Sequence, residues 1–485
     1  MQLTPESSSP TPTAHSGGHR LSGQMSTAQL VLSVLAFSSP LVCLSGYFAL
    51  AIMSTGQTAP VAFLVVTAVL MVFSVGYMAM TRHMPRPGAF YAYISEGLGR
   101  HLGLASAFLA TLSYTVIVMG VYCFGGLTIS GLITAWGGPA IPWWLTALVV
   151  WAVVAVLGYF NVEVSAKVLV WVMVVEVSTM MVFNVAVVGR GGQAGLSAAP
   201  FDVFAFATGD KLWVGLLFAM LVFIGFEATA LYRDEVRDPD RTIPRATYIS
   251  VIFIGVLYTA TVWVLVNAFG ADAEKVATED TAGMFDIAAS RYVGVWFSNI
   301  ATALVITAVL AALLSIHNAS TRYLFNLAAD TALPRTFARV HSRHNSPYAA
   351  SIGISVLSLI GVLPFALAGN DPAIVYAQLA GLGNAGVFIL MALVSVAVVV
   401  WFRRHRSLAH QGAWSTLVAP SIAAIAMTCL VLFALANFDL VVGESSANTL
   451  LLSVLAASFI AGLVVAVVMK VRRPDDFLKL GGADR

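Results

Sequence analysis

Glu227 stands two residues past Gly225 in FIGFEATALYRDEVRDPDRTIPRA (residues 223–246), a stretch that begins apolar and becomes a dense charge run ending at Pro244-Arg245. An ionisable side chain inside an apolar segment of membrane length is costly and marks a substrate or ion path. A glycine beside it weakens the helix where backbone groups can meet a ligand. A second acid, Glu176, lies in VLVWVMVVEVSTMMVF, which has no basic residue. Desolvation disfavours the ionised form of a buried carboxyl, so Glu176 is a candidate to bind and release a proton. A third feature is Ser38-Ser39-Pro40, followed by Ser45-Gly46, again in an apolar run. Where a helix breaks, the N-terminus of the following half favours an anion and the freed carbonyls favour an ammonium. The chemistry on offer is therefore the binding of a small substrate or ion, and of a proton. No cluster of His, Asp or Cys lies at membrane depth, which argues against an enzyme.

The elements that must hold these residues are membrane spans. The chain has 485 residues, 59% hydrophobic and 10% charged, with mean hydropathy +0.88. That composition belongs to an all-α polytopic membrane protein. Apolar runs of about 20 residues fall near 29–52, 61–81, 102–133, 143–160, 165–189, 212–232, 246–269, 295–327, 348–369, 373–401, 416–436 and 447–470. About twelve spans put both termini on one side. Lys and Arg concentrate in the loops and tails of that side, while the opposite loops hold only Arg190, Lys211, Lys275 and Arg291. By the positive-inside rule both termini are expected in the cytosol. The tail 1–25 is rich in Ser, Pro, Thr and Gly and reads as disordered, without the features of a cleavable signal. The outside loops near 190–211 and 270–294 are long enough for short surface helices or lids. A net charge of +2 gives no reason to expect a nucleic-acid partner. Cys43, Cys123 and Cys429 show neither metal spacing nor a disulfide framework, so no cofactor or metal is expected.

The first and sixth spans are both interrupted, at Ser38-Ser39-Pro40 and at Ile224-Gly225-Phe226. Either break alone reads as an ordinary kink. At corresponding places in two halves they point to a midplane site built from discontinuous helices. Glu227 then has two readings, a structural acid bonded to freed backbone N–H groups or a gating, proton-sensitive residue. Glu176 is either the proton carrier or a packing acid bonded to a neighbouring span. His317 reads more simply as a satisfied hydrogen-bonding residue than as a relay.

Residues 223–246 closely resemble the sixth-helix signature of the amino acid–polyamine–organocation (APC) permeases, GFE…EE-x-x-x-P-x-R-x-I-P-R-A. MPRPGAFYAYISEGLGRHLG at 84–103 and STRYLFNLAADTALP at 320–334 are similar to two further segments of that family. The resemblance implies two inverted five-helix repeats (26–190 and 191–401), two further helices (402–470) and a cytosolic tail (471–485). It also implies alternating access around a site among helices 1, 3, 6, 8 and 10. In that family unwound helix 1 meets a substrate carboxylate and unwound helix 6 meets its amino group. Carried over, Ser45 and Gly46 match the end of a G-S-G motif, and Ser39 and Pro40 add this chain's own break. Phe223, Ile224 and Gly225 would line the other half, with Tyr114 a candidate aromatic contact.

Counting from Ser165-Ala166-Lys167, the Glu176 position often holds a lysine in proton-coupled members. Thr307-Ala308 lacks the paired hydroxyls of a sodium site. Leu221 stands where relatives carry a covering aromatic, while Ala329 and Thr331 replace the Arg and Gly of an R-D-G motif. The resemblance implies a secondary active transporter of amino acids in the cell membrane. Sparse buried acidity favours a neutral substrate carried by proton symport. Exchange, or transport of a small amine, is the alternative, and a non-transporting sensor the more remote one.

Overall fold

The computed structural model describes residues 25–84, 89–160, 163–341, 346–405, 412–443, 446–478 and 480. Among them the regular structure is helical, apart from one isolated bridge between Met25 and Val236. Apolar spans satisfy their backbone internally by coiling, since hydrocarbon offers no hydrogen-bond partner. Ten stretches are long and apolar enough to cross a membrane. The first of these, Thr27–Thr81, holds two helices, and Trp143–Tyr159 adds a shorter apolar one, which brings the helices to the twelve expected.

We number them α1 (27–55), α2 (Ala59–Thr81), α3 (Arg100–Ala135), α4 (Trp143–Tyr159), α5 (Glu163–Gly189) and α6 (212–235). The rest are α7 (Pro239–Phe269), α8 (Val295–Ala329), α9 (Tyr348–Leu367), α10 (Pro372–Arg404), α11 (Trp414–Ala436) and α12 (Asn448–Arg472). A 36-residue helix such as α3 is about 54 Å long. It exceeds the roughly 30 Å of bilayer hydrocarbon and must tilt or protrude. α3 forms the spine of the bundle, packing on α10, α12, α8 and α4. α1 and α6 run through the interior, where Leu30, Leu41, Phe48, Leu217 and Phe223 are fully buried.

Ser26 caps α1 with a reciprocal box. Its hydroxyl accepts from the Gln29 N–H, and the Gln29 side chain accepts from the Ser26 N–H. Short helices Ala89–Leu98 and Pro474–Leu478 lie at the end of the bundle that carries the termini. Ala273–Glu279 and Met284–Tyr292 lie at the opposite end, inside the loop expected to hold surface helices, and the first packs on the second half of α1. The tail 1–24, Arg86 and the side chain of Lys167 lie outside the described residues.

Candidate functional site

α1 breaks at Ser39, whose backbone turns left-handed (φ 46°), and Pro40 starts the second half. Pro40 has no N–H to give, so the first free donor of the new half is Leu41. The Leu41 N–H meets Glu176 Oε2 at 3.2 Å. A carboxylate at a helix N-terminus is also favoured by the helix dipole. Ser45 and Gly46 lie further on, in a π-helical turn (Cys43–Tyr47) rather than in unwound chain, and the Ser45 hydroxyl donates to the Leu41 carbonyl at 2.8 Å.

α6 breaks over 222–225. Gly225 adopts φ 119°, and the chain continues from Phe226 to Glu235 as a 3-10 helix, a tighter coil than the α-helix on the other side. The freed Gly225 N–H donates to Glu227 Oε2 at 2.9 Å, and the Tyr114 hydroxyl donates to Oε1 at 2.6 Å. Each break thus has its own buried acid on its exposed donor. Glu227 is 1% exposed and Glu176 0%. Both Glu227 oxygens are engaged, whereas Glu176 Oε1 has no partner among the described residues.

The two breaks are tied together by Ser38. Its hydroxyl donates to the Val222 carbonyl at 2.9 Å, which leaves the Tyr258 hydroxyl to donate to Ser38 at 2.6 Å. The Ser38 carbonyl, orphaned by the break, accepts the Cys43 thiol at 3.1 Å.

Beside the breaks, towards the end away from the termini, lies a chamber of about 290 Å³. Its walls are Val42, Ser45, Gly46, Tyr47 and Leu50 of α1, Phe124 of α3, and Phe218 and Leu221 of α6. α10 contributes Tyr376, Ala377, Ala380, Gly381 and Asn384, and Leu440, Val441 and Gly443 complete the lining. The Tyr47 and Tyr376 hydroxyls bond each other at 2.7 Å. Among the described residues no charged side chain lines it.

On the terminal side the bundle is closed. Arg322 of α8 makes a two-pronged pair with Glu235 (both N–O distances 2.7 Å), donates to the Asn318 carbonyl, and lies over the Tyr232 ring. Met25 pairs with the same segment through its N–H to the Glu235 carbonyl, and Arg233 bridges to Asp240 and to the Thr81 carbonyl. Tyr91 bonds Asp330 nearby.

Of the residues singled out in the sequence, Ser45 and Gly46 line the chamber, while Ser39, Pro40 and Gly225 form the breaks. Phe223 and Ile224 are sealed into the core at 0% and 5% exposure and do not line the chamber. Tyr114 stands on Glu227, with its ring stacked on Tyr323. His317 bonds Ser351 and packs close to Gly158, between α4, α8 and α9 and away from the breaks. Thr307 donates to the Leu304 carbonyl of its own helix at an exposed position.

Sequence reasoning placed Ser38 in the break but missed its tie to the second one, and it passed over Tyr258, Tyr376, Asn384 and the Glu235–Arg322 pair. The serine was legible beside Pro40. The residues of α10 were not, because that helix is apolar on every side.

Discontinuous apolar helices meeting beside a small uncharged chamber define a membrane carrier of small solutes. Comparison with known proteins makes the class specific. The chain belongs to the amino acid permease family, whose model matches residues 29–468, within the APC superfamily. It is a transporter of amino acids or related amines, not an enzyme. It is 27% identical over 347 residues to the lysine-specific permease LysP of Escherichia coli (strain K12), covering 67% of each chain. It is 24% identical over 322 residues to the gamma-aminobutyric acid permease of Bacillus subtilis (strain 168), covering 64% of this chain and 66% of that one. To the low-affinity putrescine importer PlaP of Escherichia coli (strain K12) it is 21% identical over 419 residues, 83% of this chain and 86% of the other. The chain thus spans about two thirds of the length of the first two of these relatives.

Proposed function

We propose that this permease is a proton-coupled importer of a neutral amino acid in the cell membrane, with both termini in the cytosol. α1–α5 and α6–α10 act as two inverted repeats that rock around the paired breaks, so that the chamber opens alternately to either side. The observation that carries this reading is the pair of breaks joined by Ser38 next to a chamber lined without charge.

Glu176 supplies the coupling. While ionised it occupies the Leu41 N–H, the helix N-terminus that a substrate carboxylate would use. Protonation neutralises the acid and frees that donor, so proton and substrate enter together. The relatives named as lysine and putrescine carriers raise a cationic substrate as the alternative. The described lining carries no charge and counts against it, since a second ammonium would lose water without gaining a counter-charge among those residues.

The test is uptake of radiolabelled amino acids into proteoliposomes under an imposed pH gradient, wild type against Glu176→Gln. Wild-type uptake should follow the gradient, and the variant should bind but no longer concentrate substrate. A full gradient response in Glu176→Gln would remove Glu176 from the coupling, and strict sodium dependence would reject proton coupling altogether. Uptake only into preloaded vesicles would indicate exchange.

A further inference from the structure

α10 sets Tyr376, Ala380 and Asn384 at four-residue intervals, one stripe along a helix, and all three line the chamber. Asn384 is only 7% exposed, and its amide has no hydrogen-bond partner among the described residues. Buried polar groups are paired in the great majority of cases, so an orphan amide facing a cavity is an opening for a ligand. A chamber water can hold the place between turnovers.

The other polar groups of the lining are largely committed. Ser45 gives its proton to the Leu41 carbonyl, and Tyr47 and Tyr376 bind each other. Among the described lining residues Asn384 is therefore the side chain that offers donor and acceptor together, both unspent. A primary carboxamide matches it edge to edge: its carbonyl accepts from Nδ2 and its N–H donates to Oδ1. A charged side chain would be desolvated with no partner of opposite sign among the described lining residues. An aliphatic one would leave the Asn384 amide unpaired, the kind of mismatch that polar sites reject strongly.

We propose that Asn384 selects an amino acid with a carboxamide side chain, asparagine or glutamine in chemistry, as the substrate of this chamber. The proposal rests on the amino acid transport reading above. Its test is competition against radiolabelled L-asparagine uptake in proteoliposomes, using L-asparagine and the near-isosteric L-leucine as competitors. The wild type should prefer asparagine by about tenfold or more. Asn384→Leu should invert that preference, and Asn384→Ala, read as the same ratio, covers the case in which the larger apolar side chain prevents folding. A wild type that takes leucine as well as asparagine, or a ratio unchanged in both variants, overturns the role of Asn384 while leaving amino acid transport intact. Failure of both amino acids to bind, with an amine such as putrescine carried instead, overturns the neutral amino acid reading itself.

Discussion

Gly225 and Gly46 flank the same site, and replacing each with alanine should have opposite consequences. Gly225 holds φ 119° and ψ −26°, outside the regions open to an L-residue. Even the milder left-handed region costs about 1–2 kcal/mol per residue. A Cβ there would also lie 2.4 Å from Phe37 Cδ1 and 2.9 Å from Phe37 Cβ. The Phe37 ring is 7% exposed and held edge-on to Tyr114, so it has little room to yield. Overpacking of that kind costs about 1–3 kcal/mol, which brings Gly225→Ala to a loss of about 2–5 kcal/mol. Gly46 has no neighbour within 4 Å of its would-be Cβ. Alanine there should keep or slightly raise stability, by up to about 1 kcal/mol, while pushing a methyl group towards the chamber. The assay is thermal melting of the detergent-solubilised protein at one fixed scan rate, because unfolding of such proteins is commonly irreversible, followed by uptake in proteoliposomes. Gly225→Ala should melt several degrees low and transport poorly, and Gly46→Ala should melt normally and weaken binding of bulkier substrates. A Gly225→Ala protein that melts with the wild type would show that the break is not built as described.

Further outcomes follow from the same geometry. Arg322→Ala leaves the half-buried Glu235 without its two charge-assisted hydrogen bonds and should lower stability by about 1.5–3 kcal/mol. The double variant Arg322→Met with Glu235→Met should recover most of that in the same melting assay, and equal melting of wild type and single variant would deny the clamp its role. Tyr114→Phe removes one of the two hydrogen bonds to Glu227 and should cost about 1.5–3 kcal/mol in the same melting assay. Thr331→Gly should stabilise by about 1 kcal/mol. A β-branched residue there holds φ 60° at the end of α8, where the Ala332 N–H bonds back to the Leu327 carbonyl in a turn that favours glycine. A lower melting temperature for that variant would count against the strain.

The spans were legible because hydrocarbon imposes one rule on every backbone group, and apolar length follows from it. α4 shows this well, since its seventeen residues were placed within one residue of their observed end. The breaks were legible from residue type: proline at 40 and glycine at 225 each fall on the observed discontinuity. Which residues face the chamber was not. Pattern matching put weight on Phe223 and Ile224, yet a break can turn its own side chains into the core, and both were buried there. Asn384 and Tyr376 sit on a helix apolar all round, so no periodicity marks its inner face. The Glu235–Arg322 clamp joins positions 87 residues apart, and a charge count registers them only as loop and helix-end residues.

The two acids in the spans began as candidates for one role, and their partners separate them. Glu227 is saturated, one oxygen on Tyr114 and the other on Gly225 of its own break, so it behaves as part of the scaffold that keeps α6 open. Losing it would leave the Gly225 N–H without the acceptor it now has. Glu176 is half satisfied, with Oε2 on Leu41 and Oε1 bare, and it reaches from α5 to a donor on α1. A group bonded across two helices through one oxygen can let go without dismantling either helix. On the proposed mechanism that difference decides the division of labour: Glu227 holds the broken helix in shape, and Glu176 is the carboxyl whose proton can be exchanged for a substrate's carboxylate.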